Sequence, residues 1–170
     1  VVMSVMNGFR TELVDRILGI NGHLVVYEKN QPFISNYNEI INQISDIKNV
    51  VAVTPHLEGQ ALAKNDKNVS GVIIRGVNWS DLAAKKLLWK SLSENTIENY
   101  KNKDEIIIGY RLAQRLNVDV GDFITLISPN GMETAFGVLP VKQSFKVGGF
   151  FDIGMFEYDN NFIFIPWKKA

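Results

Sequence analysis

Cysteine is absent from the 170 residues, which excludes disulfides, thiolate metal sites and a cysteine nucleophile, and leaves the redox compartment undefined. Histidine is scarce: His23 and His56 are the two in the chain, and neither has a carboxylate or second histidine at ligand spacing, so no metal centre is expected. Net charge is missing as well, with 18 Lys plus Arg against 18 Asp plus Glu. No field therefore draws the chain to nucleic acid or to anionic lipid. Beyond the first residues the uncharged run Phe123 to Met132 is far short of the roughly 20 residues a membrane helix needs. Nucleophile-elbow, phosphate-loop and dinucleotide glycine motifs are also lacking, as is any nucleophile–base spacing. The expectation is a non-catalytic domain without a cofactor; a free-standing hydrolase with unrecognised residues is the remaining enzymatic alternative.

What is present is apolar matter for a core, 46% of residues, enough for a globular domain. Residues 1 to 9 carry no charge and are mostly apolar. They read as the tail of a membrane helix rather than as a signal peptide, whose basic, apolar and small-residue order is not found. Phe9, Leu13 and Ile17, with Val14 and Leu18 beside them, then form a helical stripe expected to be buried, and Gly19 and Gly22 end that helix. His23 to Tyr27 reads as a strand. Asn36-x-x-Glu39 resembles a capping box before the helical apolar face of Tyr37, Ile40, Ile41, Ile44 and Ile47. Val50 to Thr54, stopped by Pro55, reads as a second strand, so the opening is a βαβ unit.

Two β-rich runs, Gln60 to Lys64 and Val69 to Val77, flank a polar turn and predict a hairpin. Arg75 reads as a solvated residue near a strand end, with a functional contact as the alternative. Ser80-Asp81 caps a surface helix reaching about Leu92, and Ser93 to Asp104 reads as a polar loop. Glu105 to Gly109, Phe123 to Ile127, Phe145 to Phe151 and Asn161 to Ile165 read as strands, Tyr110 to Leu116 as a short helix, and Asp152 to Asn160 as a connecting loop. The fold class is α+β. Asp152, Glu157 and Asp159 could in principle share a proton or a hard cation, but their spacing suits a solvated loop better.

The segment 128–143 is far longer than a hairpin turn needs. Pro129 and Pro140 bracket it, and Met132, Phe136, Val138 and Leu139 make it too apolar for a disordered tract. Either these side chains fold back into the core, or they form an exposed apolar surface for a partner, with the prolines limiting the entropy lost on docking.

Several runs carry a resemblance to a known family. Ser4-Val5-Met6-Asn7-Gly8-Phe9, Glu12-Leu13, Ile17-Leu18-Gly19 with Gly22-His23, Thr54-Pro55-His56, Val72 to Val77, the Ile-Ile-Ile-Gly-x-x-Leu-Ala run from Ile106, and Gly154 to Asp159 are similar, in that order, to the LolC/LolE-type permeases of the lipoprotein-releasing ABC transporter. The resemblance implies a MacB-like periplasmic domain with residues 1–9 as the end of the first transmembrane helix and 10–170 as the periplasmic domain. Within it, 10–58 and about 145–170 would form a porter-like lobe, and about 59–144 an inserted β-rich lobe that includes a protruding hairpin, the hook, at 128–143. A complete family member would continue past Ala170.

It further implies partners: a LolA-like periplasmic lipoprotein chaperone held by the hook, a LolD-like ATPase subunit, a second permease subunit, a lipoprotein substrate, and the bacterial inner membrane through flanking helices. Chaperone contacts would fall at Pro129, Met132, Phe136, Val138, Leu139, Pro140, Lys142 and Gln143, the last standing where the family has arginine. Val2 and Met6 match positions lining the lipid cavity, or else pack as ordinary membrane-helix residues. The rival reading is a MacB- or FtsX-like extracytoplasmic domain that couples an ABC ATPase to efflux or to cell-wall hydrolase activation.

Overall fold

The computed structural model describes every residue except Val1, Asn30, Pro32, Ala135 and Phe136, and gives the backbone alone for residues 2, 4, 5, 15, 16, 130–134 and 137–139. The chain runs α1 (Val2–Asn21), α2 (Tyr37–Ser45), β1 (Leu57–Asn65), β2 (Asn68–Val77), α3 (Trp79–Ala84), α4 (Lys86–Ser91), α5 (Glu94–Lys103), β3 (Ile106–Gly109), α6 (Tyr110–Leu116), β4 (Phe123–Thr134), β5 (Gly137–Phe151), α7 (Phe156–Asn161) and β6 (Phe162–Pro166). The strands close into a barrel in the order β1-β2-β6-β3-β5-β4. β2 with β6 and β3 with β5 are parallel pairs, and the other neighbours are antiparallel.

Alternation along the strands decides the packing. Ile106, Ile108, Ile163 and Ile165 point into the barrel with Ala61, Ala63, Ile124, Leu126, Phe145 and Val147, where Leu112, Ala113 and Leu116 of α6 join them. Ile107, Phe162 and Phe164 point outward into a second apolar cluster with Leu82, Leu88, Tyr100, Phe151, Tyr158 and Ile20. β3 and β6 are thus covered on both faces, which is why they read as unbroken apolar runs. Each fully buried isoleucine there contributes roughly 2 kcal/mol of transfer free energy. Tyr100 ties the layers together: its hydroxyl lies 2.9 Å from the carbonyl oxygens of both Val77 and Ile165, which share its one proton.

The hairpin at 57–77, the strand at 106–109 and the helix at 110–116 lie where the sequence places them. Elsewhere the expectations need correction. Residues 23–27 and 50–54 carry no strand: the six barrel strands pair with one another, and neither segment finds a partner among them. Leu24, Tyr27 and Val51 are left exposed. β6 and the end of β5 are barrel staves paired with β2 and β3, so residues 145–166 sit with the 57–144 strands rather than with 10–58.

The expected loop at 93–104 is helix α5. The Ser93 side chain accepts the Thr96 amide at 3.2 Å as an N-cap, and Asp104 at φ 52° ends the helix. The expected loop at 152–160 contains α7. Asn36 precedes α2 without a side-chain cap bond, and no residue of that helix is buried. The surface helix is broken at Lys85 into α3 and α4. On α1 the stripe of Phe9, Leu13, Val14 and Ile17 is exposed, and Ile20 alone among its described side chains is buried.

Two close approaches explain glycines in the barrel wall. A Cβ on Gly149 would stand 2.0 Å from Thr96 Oγ1, and one on Gly109 would stand 2.2 Å from the carbonyl oxygen of Asp159. Gly109→Ala is therefore expected to lower stability by about 2 kcal/mol, since backbone rather than a movable side chain must give way. Gly71→Ala, with nothing within 4 Å, should stay within about 0.5 kcal/mol of the parent. Urea unfolding midpoints check both; equal midpoints for the two variants would contradict the packing at Gly109.

Candidate functional site

Outside residues 135 and 136, the backbone of 128–143 continues the β4–β5 ladder. β4 and β5 pair from Phe123–Lys146 to Ser128–Val141, the register shifts, and pairing resumes at Met132–Leu139, Glu133–Val138 and Thr134–Gly137. β1 accompanies β4 only over Thr125–Ile127, so beyond Ser128 the described pairings are those of β4 with β5 alone. A two-stranded ribbon thus runs on past the barrel wall. Pro129 and Pro140 stand one on each strand beside the register shift, where a missing N–H costs no ladder bond.

At the base of this ribbon Pro129, Pro140, Val141, Lys142, Gln143 and Ser144 are all exposed, and the barrel interior resumes at Phe145. Lys142 lies opposite Ile127 and Gln143 opposite Leu126. Leu62 of β1, 47% exposed, is registered against Ile127 from the other side. One face of the base therefore offers Leu62 and Ile127 beside Lys142, an apolar strip with a polar rim, while Val141 is exposed on the alternate face. Sequence reading missed Leu62 and Val141; an apolar residue between Gln60 and Lys64 on the outward phase of β1 was the available signal. Of the expected contact residues, the structure gathers Pro129, Pro140, Lys142 and Gln143. Met132, Val138 and Leu139 lie in the ladder with side chains outside the described residues, and Phe136 lies outside them altogether. On α1, Met6 is exposed, and the side chain of Val2 is outside the described residues.

A second cluster forms where α1 meets the barrel. Arg75 is 6% exposed, which corrects its reading as a solvated strand-end residue. Its Nε donates to Glu58 Oε2 at 2.9 Å, Nη2 donates to the same oxygen, and Nη1 donates to Asn21 Oδ1 at 3.1 Å. The guanidinium carbon lies 5.0 Å from the centre of the Phe162 ring. Cross-strand pairing of Glu58 with Arg75 puts the ion pair in place, and its other hydrogen bonds offset the cost of burying the cation.

Nearby, burial, with Arg75 adding to it, holds the His56 imidazole below its ordinary value. Burial, and then Arg75, likewise lowers Lys85. The carboxylates of the third candidate group serve structure: Asp159 is fully buried rather than solvated and accepts the Ile153 amide at 2.9 Å. Its carboxyl is pushed up by burial, with Asp152 adding to the effect. Among the described residues no group of three His, Cys, Asp or Glu side chains could hold a metal ion.

His56 carries a pH dependence. Its folded value lies below 6.5, so its contribution to stability is complete above that pH and is lost as pH falls through the folded value. Asp81 and Asp159, both raised by burial first, act with the opposite sign in more acidic solution. The difference between parent and His56→Gln isolates the histidine: stability should fall less for the variant between pH 7.5 and 5.5. Parallel urea curves at the two pH values would contradict this.

No described helix is long and apolar enough to cross a membrane. The whole chain, residues 1–170, matches the MacB-like periplasmic core domain family. It is similar to the lipoprotein-releasing system transmembrane protein LolC of Neisseria meningitidis serogroup B, 30% identical over 163 residues, covering 95% of this chain and 39% of that protein. It is also similar to LolC of Xylella fastidiosa strain Temecula1, at 27% over 158 residues, 92% of this chain and 38% of that protein. LolE of Haemophilus influenzae is 25% identical over 128 residues, 74% of this chain and 31% of that protein.

The chain thus spans about two fifths or less of these relatives. Among solved structures, the extracellular domain of the noncanonic ABC-type transporter YknZ from Gram-positive bacteria matches with TM-score 0.49 and 15% identity, covering 77% of this chain and 62% of that one, a likeness too slight to bear on the fold. The expected resemblance to the LolC/LolE type stands, and the chain belongs to the MacB-like periplasmic core domain family.

Proposed function

We propose that this chain is the periplasmic part of a permease subunit in an inner-membrane ABC transporter that releases outer-membrane lipoproteins and passes them to a LolA-like periplasmic chaperone. The observation that carries the reading is the proline-flanked β4–β5 ribbon running beyond the barrel, with Lys142 and Gln143 exposed at its base. The names of the curated relatives, lipoprotein-releasing LolC and LolE, support the substrate class. The domain does no chemistry of its own. ATP hydrolysis belongs to a LolD-like subunit, and a second permease subunit completes the pair.

The physical problem in such a transfer is the acyl chain, since each methylene brought into water costs about 0.8 kcal/mol. A carrier docked at the exit before release removes that exposure. A prefolded ribbon suits this task because its backbone entropy is already spent before docking. The apolar residues that the sequence supplies at 132, 136, 138 and 139 provide the material of a binding surface, and the strip at the ribbon base extends it.

Replacing Met132–Leu139 by a short Gly-Asn turn should weaken binding of the cognate chaperone at least tenfold, about 1.4 kcal/mol, with the barrel's thermal unfolding preserved. Calorimetric titration reads the affinity. An unchanged dissociation constant would remove the ribbon from the contact and favour the rival role of coupling an ATPase to efflux or to hydrolase activation.

A further inference from the structure

From Met3 to Ile17 every described side chain of α1 is exposed, and burial among the described side chains sets in over its last turn. Ile20 is buried in the outer apolar cluster, and the backbone of Gly19 lies close beside Leu87. Apolar contact of this kind is non-directional and would let a helix roll on its seat.

Directional bonds are added at the same turn. Lys85 Nζ donates to the Ile20 carbonyl at 2.6 Å, placing a cation at the negative end of the helix dipole. Asn21 Oδ1 accepts from Arg75 at 3.1 Å, and its Nδ2 donates to the Tyr158 hydroxyl. Gly22 at φ +74° then stops the helix. Arg75 is in turn fixed by Glu58 on β1 and by the Phe162 ring on β6. One amide side chain is therefore reached from β2, backed by β1 and β6, and from α7, while the break between α3 and α4 supplies the lysine.

We propose that Asn21, Arg75 and Lys85 form a joint that locks the last turn of α1 to the barrel, so that displacement or rotation of the helix is passed to the barrel and its ribbon as motion of one body. The inference rests on the permease reading in one respect, that α1 continues a membrane helix which the ATPase cycle moves. A buried arginine that only supported barrel folding would not need to bond the helix amide, and the lysine would not need to reach a helix carbonyl.

The absence of cysteine makes the test direct. In the full-length permease within its complex, with any cysteines outside residues 1–170 changed to serine, spin labels at Thr11→Cys on α1 and Lys67→Cys on the β1–β2 turn report the helix–barrel distance by pulsed electron resonance. A control pair at Lys67→Cys and Glu98→Cys reports the barrel alone. The parent should give a narrow helix–barrel distribution. Asn21→Ala and Lys85→Met should each broaden it at least twofold while the control pair stays narrow, and Asn21→Asp, which keeps an acceptor for Arg75, should remain close to the parent.

An unchanged helix–barrel distribution in both disrupting variants overturns the proposal. So does broadening of both pairs together, which would assign the cluster to barrel folding. Chaperone affinity reads the ribbon and not this joint, so the joint and the docking role can fail separately.

Discussion

Closure of the barrel by β4 against β1, through Leu62–Lys64 and Thr125–Ile127, is the constraint on which the rest of the molecule depends. It satisfies the backbone of both strands over a short stretch and turns six strands into one closed wall. Because β1 accompanies β4 for so few residues, β4 and β5 have length to spare, and their excess emerges as the ribbon. The same closure directs the side chains of β3 and β6 alternately into the barrel and into the helix layer. The core that anchors the ribbon and the seat that receives α1 are the two sides of one wall.

That wall determines what was legible in the sequence. β3 and β6 were readable because burial on both faces makes them continuous apolar runs, and the 57–77 hairpin because its polar turn interrupts two β-rich stretches. Helix α5 was not: its sequence Glu-Asn-Thr-Ile-Glu-Asn-Tyr-Lys-Asn-Lys is polar, and it packs through Thr96 and Asn99 onto a strand stripped to backbone at Gly148 and Gly149. Packing by absence of side chains leaves no apolar period to detect. The strands expected at 23–27 and 50–54 failed for the opposite reason. Their local propensity is high, but a strand exists only with a partner, and the six barrel strands take their partners from one another.

The ribbon and the Arg75 cluster were unequally visible. The ribbon announced itself through length, flanking prolines and apolar content, and resemblance to the LolC/LolE type pointed to the same residues. Arg75 was misjudged because strand position alone cannot show that Glu58 lies directly across the ladder or that the end of α1 returns over it. A cation that looked solvated is buried, hydrogen-bonded on three nitrogens and stacked on an aromatic ring. Burial of their own shifts its neighbours Lys85 and His56 downward, and Arg75 adds to the shift, so the cations where the helix meets the barrel are desolvated whereas Lys142 at the ribbon base is exposed. The buried cluster around Arg75 and the proline-flanked ribbon thus stand apart in the fold.

The most direct test of the docking role is site-specific photocrosslinking. A benzoylphenylalanine placed at Lys142, at the ribbon base, should form an adduct with the purified cognate chaperone, whereas the same group at Asp66, on the β1–β2 turn, should form none. Equal adduct yields at the two positions, or none at Lys142, would contradict the account.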